Sequence, residues 1–381
     1  MSTATAPITD DERDALRALV RRFVDAELTP HIDAWERDGR LPRALYRRAG
    51  ELGLLGLGFP EEYGGSPGDH RSMVIVVDEL ARAASGGLIA GLLSHGIGAP
   101  PIVHFGTEEL KARVLPAILA GEAISALAIT EPGGGSDVAN LQTRARRDGD
   151  DYVIDGAKVF ITSGVHADYI TTAVRTGGPG LGGISLLLVP GDAPGLARTP
   201  LDKMGWRCSD TAALYFDGCR VPARNLLGEE NHGFLAIMRN FNGERLMIAA
   251  MAAAFSQVCL DEALAYARER QTFGKPLIKH QVVRHRLVDM ATRIAPVRAL
   301  LLDLAARCDR GEWPIAEICM LKNAATACFE ATANDAVQLF GGAGYMVGTR
   351  VERLYRATKV LTIGGGASEI MKDLAARQLG W

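Results

Sequence analysis

A single glutamate, Glu244, lies within an apolar stretch that reads FNGERLMIAA. Phe241 precedes it, and Leu246, Met247 and Ile248 follow it in a segment with helical periodicity. A glutamate with such neighbours usually lies at the solvent edge of its helix or pairs with a nearby arginine. If it faces an apolar cleft instead, desolvation raises its pKa and the carboxylate becomes a candidate general base. Both interpretations are compatible with this stretch alone.

Three consecutive glycines, Gly364, Gly365 and Gly366, occur near the C-terminus in the stretch LTIGGGASEIM. A glycine run costs backbone entropy, so it indicates positive φ angles or a backbone that lies against another molecule. A helix is predicted to begin directly after the run, at Ser368. The run therefore predicts a tight loop with either positive φ angles or a backbone that contacts a ligand.

Two further glycine-containing stretches offer backbone groups to a ligand. AITEPGGGSDVANLQT follows a predicted strand and presents Ser136 and Asp137 beside three glycines. Its spacing matches neither a P-loop nor a dinucleotide-binding fingerprint, and an entry turn of a β domain explains it equally well. In VQLFGGAGYM, Gly341 and Gly342 follow a predicted helix, which indicates either a helix C-cap or close approach to a ligand.

A cluster of cations surrounds the Phe273-Gly274 pair in the stretch ARERQTFGKPLIKHQ; its members are Arg268, Arg270, Lys275 and Lys279. Cations at the end of a long helix interact favourably with the helix dipole. The same charges suit a pyrophosphate group. Both interpretations stay open on this stretch alone.

The chain of 381 residues divides into three parts, which we assign to residues 1–123, 124–230 and 231–381. The first part has helical periodicity, beginning with acids near residue 10 and reaching Pro30, and Thr107 is a good N-cap for a later helix. The second part has short strands from ISALAIT to about residue 221, with predicted turns at Asp148-Gly149 and Asp155-Gly156.

The third part returns to helical periodicity. Long helices are predicted over 234–269, 280–308 and 314–340, with a last one from Ser368, and together they indicate an antiparallel bundle. The fold class that follows is a multi-domain α+β protein. It has an N-terminal helical domain, a β-barrel-like middle domain and a C-terminal four-helix bundle.

Composition and charge exclude several functional classes. The formal net charge is −3 and no large basic block occurs, which argues against nucleic-acid binding. The six cysteines have no CxxC spacing and the eight histidines have no metal-ligand spacing, so we expect no metal site. We also expect no secretory signal and no membrane span. The prediction is a cytoplasmic protein with buried, reduced cysteines.

Taken in order, five stretches resemble the acyl-CoA dehydrogenase family of flavoproteins. They are AITEPGGGSD, DGAKVFITSG, RERQTFGKPLIKHQ, VQLFGGAGY and IGGGASEIM. The resemblance extends from about residue 10 to the C-terminus, and the order of helices, β domain and bundle is also that of the family. It implies FAD as cofactor, bound between the β domain and the bundle.

The resemblance assigns residues to each half of the cofactor. It implies that the flavin ring is flanked by Leu127, Ile129, Thr130, Phe160 and Thr162, with Ser136 contacting the cofactor or the CoA arm. It implies that Arg270 contacts the pyrophosphate with help from Thr272 and Phe273. Gln338, Gly341 and Gly342 would approach the adenosine side from a neighbouring chain. The remaining positions that the resemblance associates with the cofactor are Gln281, Ala367, Ser368 and Glu369.

The glycine run departs from the pattern of many family members. Those members carry a tyrosine and then the catalytic glutamate where this chain has Gly364 and Gly365. A minority, resembling the isovaleryl-CoA and long-chain enzymes, carries the base within an ERL signature on the first bundle helix. Here that signature is Glu244-Arg245-Leu246. The loop lacks the glutamate at Gly365, and the bundle helix carries one at Glu244. Together these two features predict that the base is relocated to Glu244 and not lost.

The mechanism implied by the resemblance is α,β-dehydrogenation of an acyl-CoA. Glu244 removes the α-proton while the β-hydrogen leaves as hydride to flavin N5, which gives a trans-2-enoyl-CoA. The backbone N–H of Gly365 and a flavin ribityl hydroxyl polarise the thioester carbonyl. Arg245 orients either the CoA arm or a neighbouring carboxylate. The substrate positions are Ser136, Asn242, Arg245, Gly364 and Gly366, and the glycines leave space for branched, bulky or longer acyl groups.

Three alternatives remain on the same fold. A flavin monooxygenase needs no carboxylate, so Gly365 would suit it but Glu244 would not. A partner-dependent subunit with an incomplete site disagrees with the intact RQTFGK and QLFGG stretches. A nitroalkane oxidase would need an aspartate near Gly365. The resemblance also implies a homo-oligomer, most often a tetramer, with electron-transferring flavoprotein as the electron acceptor.

Overall fold

The computed structural model describes residues 8–381, which begin with a set of helices. The first helix is stabilised by a capping box, in which the Thr9 hydroxyl accepts from the Glu12 N–H and the Glu12 carboxylate accepts from the Thr9 N–H. This helix does not reach Pro30, because a π-helical turn, Val24–Leu28, replaces its predicted last turns. The N-terminal helices are α1 Asp10–Phe23, α2 Ile32–Asp38, α3 Arg43–Glu51, α4 His70–Ala81, α5 Gly86–Leu92, α6 His95–Gly98, α7 Pro100–Phe105 and α8 Glu108–Leu119.

An eight-stranded sheet follows. Its strands are β1 Ser125–Ala128, β2 Arg144–Asp148, β3 Asp151–Thr162, β4 Tyr169–Arg175, β5 Ile184–Pro190, β6 Leu196–Pro200, β7 Thr211–Pro222 and β8 Leu226–Leu227. The order is β6-β7-β3-β2-β4-β5-β8, with β1 joined to β4. Both β1 and β2 pair with β4 in parallel, and the other pairs are antiparallel. The prediction of a β domain in the middle of the chain is confirmed.

The predicted turn at Asp155-Gly156 is wrong, because both residues lie inside the long strand β3. Opposite them β7 contains an extra residue, since Ile154 pairs with Cys219 but Gly156 already pairs with Phe216. Gly156 is required there for a different reason. It has a φ of 145°, and a Cβ atom would lie 2.7 Å from the Cα atom of Thr143. The glycine therefore marks a bulged region of a sheet.

The C-terminal part is a bundle of long helices. It contains α9 Gly233–Glu269, the short hairpin of β9 Gln271–Thr272 and β10 Lys275–Pro276, and then α10 Gln281–Asp309, α11 Ile315–Phe340, α12 Gly342–Tyr345, α13 Arg350–Ile363 and α14 Ser368–Leu379. Helix α13 was not among the predicted elements. Thr349 caps it by accepting from the Glu352 N–H, a T-x-x-E pattern that is visible in the sequence.

The bundle core is built around α9 and α11. Five alanines between Ala249 and Ala254 are buried along α9, and the rings of Phe255 and Phe329 lie 5.5 Å apart between the two helices. By length and composition α9 is apolar enough to cross a membrane, as is the bent pair of α5 with α6–α7. However, 72% of the 18-residue apolar segment of α9 is buried inside the protein. The predicted fold class is confirmed. The cysteines are buried and form no disulfide within the described chain, as expected.

Candidate active site

Helix α9 presents Glu244 at the edge of the bundle core. The side chain is half-buried, and its carboxylate has no hydrogen bond or ion pair to any residue in the range 8–381. Burial raises the pKa of Glu244 to about 7, and the positive charges of Arg245 and Lys322 oppose that rise. An unpaired carboxylate with this pKa has the properties of a general base that works near neutral pH.

The glycine loop between α13 and α14 lies directly against this carboxylate. A Cβ atom built on Gly365 would lie 3.7 Å from Oε1 of Glu244 and only 2.6 Å from Cδ1 of Ile248. Gly365 and Gly366 have φ angles of 65° and 109°, which few other residues adopt. The prediction of positive φ angles in this run is confirmed, and the surface that the loop contacts includes Glu244.

Three side chains hold the glycine loop and the first residue of α14 by their carbonyl oxygens. Arg245 Nε donates to the Gly365 oxygen at 3.1 Å, and Lys322 Nζ donates to the Gly366 oxygen. Asn323 Nδ2 donates to the oxygen of Ser368 at 3.0 Å. Sequence reasoning missed Lys322 and Asn323. A lysine in an apolar helical stretch, ICMLKNAATA, was the available signal.

Arg245 is buried and has partners other than those predicted for it. Its Nη1 donates to Oδ1 of Asn242 at 2.9 Å, and its guanidinium lies 5.7 Å from the centre of the Phe241 ring. Within the described chain, no carboxylate oxygen lies at ion-pair distance from it. The structure thus connects Arg245 and Asn242, both predicted substrate residues, to the glycine loop. Contact of either residue with CoA stays a prediction.

On the sheet side, Thr130 and Phe160 are brought together by a main-chain hydrogen bond. The N–H of Val159 donates to the Thr130 oxygen at 2.9 Å. A bulge in β3 follows, because Lys158 pairs with Leu214 but Ile161 pairs with Ala212. Phe160 therefore has a φ of 61°, and 69% of its side chain is exposed. A large aromatic ring held outside the core by a strained backbone is typical of a ligand contact.

A buried ion pair anchors this part of the sheet. Lys158 Nζ lies 2.8 Å from Oε1 of Glu131 and donates to the Ile129 oxygen at 2.9 Å. Burial lowers the pKa of Lys158 to about 8, although Glu131 opposes that change. Both residues are buried, Glu131 directly after Thr130 and Lys158 two residues before Phe160. They fix the two segments on which the predicted flavin contacts lie.

The other predicted residues of this side differ in accessibility. Ile129 is buried, and Leu127 packs against the same hydrophobic cluster as Phe241 of α9. This cluster joins strand β1 to the helix that carries the candidate base. Thr162 is half-buried at the end of β3, while Ser136 lies in an exposed loop.

The residues predicted for the ADP half lie together at the far end of the bundle. Tyr266 of α9 stacks on Phe340 of α11 with ring centres 4.1 Å apart. This stack brings Arg270, which follows α9, to the same end as Gln338, Gly341 and Gly342. Phe273 occupies the tip of the β9–β10 hairpin, with a φ of 49° and a side chain that is 97% exposed. Thr272 Oγ1 and His280 Nε2 lie 3.0 Å apart, next to the exposed Gln281.

The last predicted cofactor positions, Ala367, Ser368 and Glu369, form the start of α14. Ala367 is the N-cap residue, and Glu369 is the acid of the first turn. Among residues 8–381 there is no group of three or more His, Cys, Asp or Glu side chains that could hold a metal ion.

Comparison with family models matches the whole described architecture. Models described as the N-terminal, middle and C-terminal domains of acyl-CoA dehydrogenase match residues 10–122, 126–219 and 231–380. A probable acyl-CoA dehydrogenase of Bacillus subtilis is 39% identical over 371 residues, which cover 97% of this chain and 98% of that protein.

Solved structures give the same result. A probable acyl-CoA dehydrogenase from Mycobacterium abscessus has a TM-score of 0.95 and 49% identity, covering 98% of this chain and 99% of that one. A glutaryl-CoA dehydrogenase from Mycobacterium smegmatis, solved in complex with FADH2, has a TM-score of 0.92 and 30% identity. It covers 98% of this chain and 96% of that one.

Proposed function

This chain belongs to the acyl-CoA dehydrogenase family of FAD-dependent oxidoreductases, and on that premise we propose that it oxidises an acyl-CoA to the trans-2-enoyl-CoA with Glu244 as the catalytic base. The observation that carries the proposal is the unpaired Glu244 carboxylate, 3.7 Å from the position of a side chain at residue 365. It supports relocation of the base from the glycine loop to α9. Such an oxidation belongs to fatty acid or related lipid metabolism.

The residues of the chain fit FAD. The exposed ring of Phe160 offers a face for a planar heterocycle, and the hydroxyls of Thr130 and Thr162 lie on the two segments next to it. At the other end of the bundle, Arg270 offers charge for a pyrophosphate. When bound, FAD supplies the acceptor for the two electrons of the oxidation.

Glu244 then acts on the carbon next to the thioester. That carbon is a weak acid, so a carboxylate removes its proton efficiently only when the carboxylate pKa is raised towards the working pH. Burial provides this rise, and the absence of a hydrogen-bond partner within residues 8–381 leaves both oxygens available. Arg245 donates to the Gly365 carbonyl and to Asn242, and within residues 8–381 it forms no ion pair with the base.

Gly365 has a second role in this proposal. Its N–H makes no hydrogen bond within the described chain, while its carbonyl is held by Arg245. A free N–H on a loop fixed in this way is a suitable donor to the thioester oxygen, where negative charge develops as the α-proton leaves. Residues 364 and 366 have no side chains, which supports a pocket that accepts branched or bulky acyl groups.

The monooxygenase and incomplete-subunit alternatives are not favoured. A base with a raised pKa at the glycine loop supports proton abstraction, which an enzyme based on reduced flavin and oxygen does not need. The described chain also retains Arg270, Gln338 and Gly342 at one end of its bundle. These observations support a chain that supplies every part of the site, with Gln338 and Gly342 completing the adenosine side of a neighbouring subunit's site.

We further propose a homotetramer with electron-transferring flavoprotein as acceptor and a cytoplasmic location. The exposed apolar side chains near the proposed ADP-binding end support an oligomer, because exposing such side chains to water in a monomer is unfavourable. They include Phe273, Tyr345, Met346 and Val347. Light scattering of the purified holoenzyme measures the subunit number directly.

The test of function is anaerobic mixing of the holoenzyme with straight, branched and cyclic acyl-CoAs, followed by absorbance of the oxidised flavin. We expect at least one acyl-CoA to bleach the flavin, and Glu244→Gln to retain FAD but reduce the bleaching rate by roughly four orders of magnitude. Normal bleaching in Glu244→Gln would reject the assignment of the base. An oxidised flavin with every acyl-CoA would reject the dehydrogenase activity itself.

A further inference from the structure

Lys322 is buried next to the candidate base, but the proposed mechanism assigns it no function. Its side chain has no exposed surface, which is rare for lysine because desolvating an ammonium group costs free energy. Within residues 8–381 it has no carboxylate at ion-pair distance. Its Nζ donates instead to the carbonyl oxygen of Gly366. A buried charge retained in this way needs a reason.

The charged and titratable groups around it form one small set. Glu244 and Arg245 face it from α9, and Cys319 lies one turn before it on α11. The glycine loop contributes carbonyl oxygens to this set. Arg245 holds the Gly365 oxygen and Lys322 holds the next one, so two cations fix successive peptide units of a loop that glycine otherwise leaves free.

We propose that Lys322 is a positioning residue of the active site: it fixes the glycine loop through the Gly366 carbonyl and supplies a positive charge that favours the ionised form of Glu244. The inference rests on the proposed function in treating Glu244 as the base. The loop fixed in this way is the one that carries the Gly365 N–H. Lys322 therefore acts on both the proton acceptor, Glu244, and the Gly365 N–H that donates to the thioester oxygen. It does so without contacting substrate.

The electrostatic relationship supports this assignment in both directions. Burial raises the pKa of Glu244, and Arg245 and Lys322 oppose the rise. Burial lowers the pKa of Lys322 to about 8, and Glu244 opposes that change. Removing the ammonium leaves the carboxylate with Arg245 as its nearby cation. The carboxylate should then be harder to ionise.

The test is a direct pH titration of Glu244 by infrared difference spectroscopy, in which the carboxylic acid C=O band is assigned by its absence in Glu244→Gln. We compare Lys322→Met, Lys322→Gln and Lys322→Arg with the wild type. Lys372→Met, at an exposed lysine of α14, is the matched control. The midpoint should rise by on the order of one pH unit in Lys322→Met. It should stay near the wild-type value in Lys322→Arg and Lys372→Met.

Lys322→Gln separates the two roles, because it keeps a donor for the Gly366 carbonyl but removes the charge. It should show the raised midpoint, and it also provides the comparison if Lys322→Met fails to fold. Unchanged midpoints in the folded charge-removing variants would overturn the proposal and leave Lys322 with a packing role. This readout does not require turnover. A failure of the proposed activity would appear in the acyl-CoA panel, whereas a failure of this inference would appear in the titration.

Discussion

Oε1 of Glu244 lies 3.7 Å from the point at which a side chain at residue 365 would begin. The carboxylate of the bundle helix therefore occupies space that the glycine of the loop leaves open. A larger residue in the loop would compete with Glu244 and Ile248 for the same space. The structure thus connects two sequence features that are far apart in the chain.

Gly365→Ala should reduce both stability and activity. The φ of 65° and the 2.6 Å approach of Ile248 Cδ1 to the new Cβ atom should lower the free energy of unfolding by about 1–2 kcal/mol. Displacement of the loop should slow flavin reduction by roughly tenfold to a hundredfold. Gly96→Ala on α6 is the control, because a Cβ atom on Gly96 would meet no atom within 4 Å. Urea unfolding measures the stability and stopped-flow measures the reduction rate. Equal losses in Gly365→Ala and in the control variant would contradict this explanation.

Flavin reduction should depend on the ionisation of Glu244. Because the carboxylate must be unprotonated to accept a proton, the rate should rise with pH through about 7, where it is half-maximal, and level off at higher pH. Single-turnover reduction measured across pH provides the profile. A profile without an inflection near neutrality would mean that another group is the base.

The same ionisation has a consequence for stability. The pKa of Glu244 is raised on folding from 4.5, so the folded state binds more protons than the unfolded state between pH 4.5 and about 7. Stability from this group is therefore present at low pH and lost as pH rises through 7. Glu244→Gln should be more stable than the wild type at pH 8, by on the order of 1–3 kcal/mol. The difference in unfolding free energy should disappear near pH 4.

Phe160→Ala should weaken FAD retention without unfolding the protein. The ring is mostly exposed, so its removal deletes a stacking surface and little core packing. Phe160→Trp should retain FAD, because it preserves an aromatic face. Tyr215→Ala, at another exposed aromatic of the sheet, is the control. The FAD-to-protein absorbance ratio after gel filtration measures the effect, and an unchanged ratio in Phe160→Ala would remove this residue from the site.

His95 should make the protein sensitive to mild acid. Burial lowers the pKa of His95 from 6.5 to about 4, so the unfolded state binds the proton that the folded state excludes. Stability from this group is complete above pH 6.5 and is lost as pH falls towards 4, by on the order of 3 kcal/mol. His95→Asn should flatten the dependence of unfolding free energy on pH in this range. The exposed His31→Asn should not.

Sequence periodicity predicted the long helices because each buries one face over many turns. The start of α9 and the end of α11 at Gly341 agree with the prediction to within one residue. The same reasoning missed α13 and mistook the bulged region at Asp155 for a turn. Short elements and bulges depend on what lies opposite them, as β7 does for Gly156.

By itself, the sequence determined the order of the three parts, the family resemblance, and the joint presence of Glu244 and absence of a carboxylate at Gly365. These are properties of residue type and spacing along one chain. Only the tertiary structure decided that the two positions meet, that Arg245 and Lys322 hold consecutive carbonyls, and that Phe160 is turned out of the core. Those contacts depend on how each helix is rotated against its neighbour, and distant packing sets that rotation.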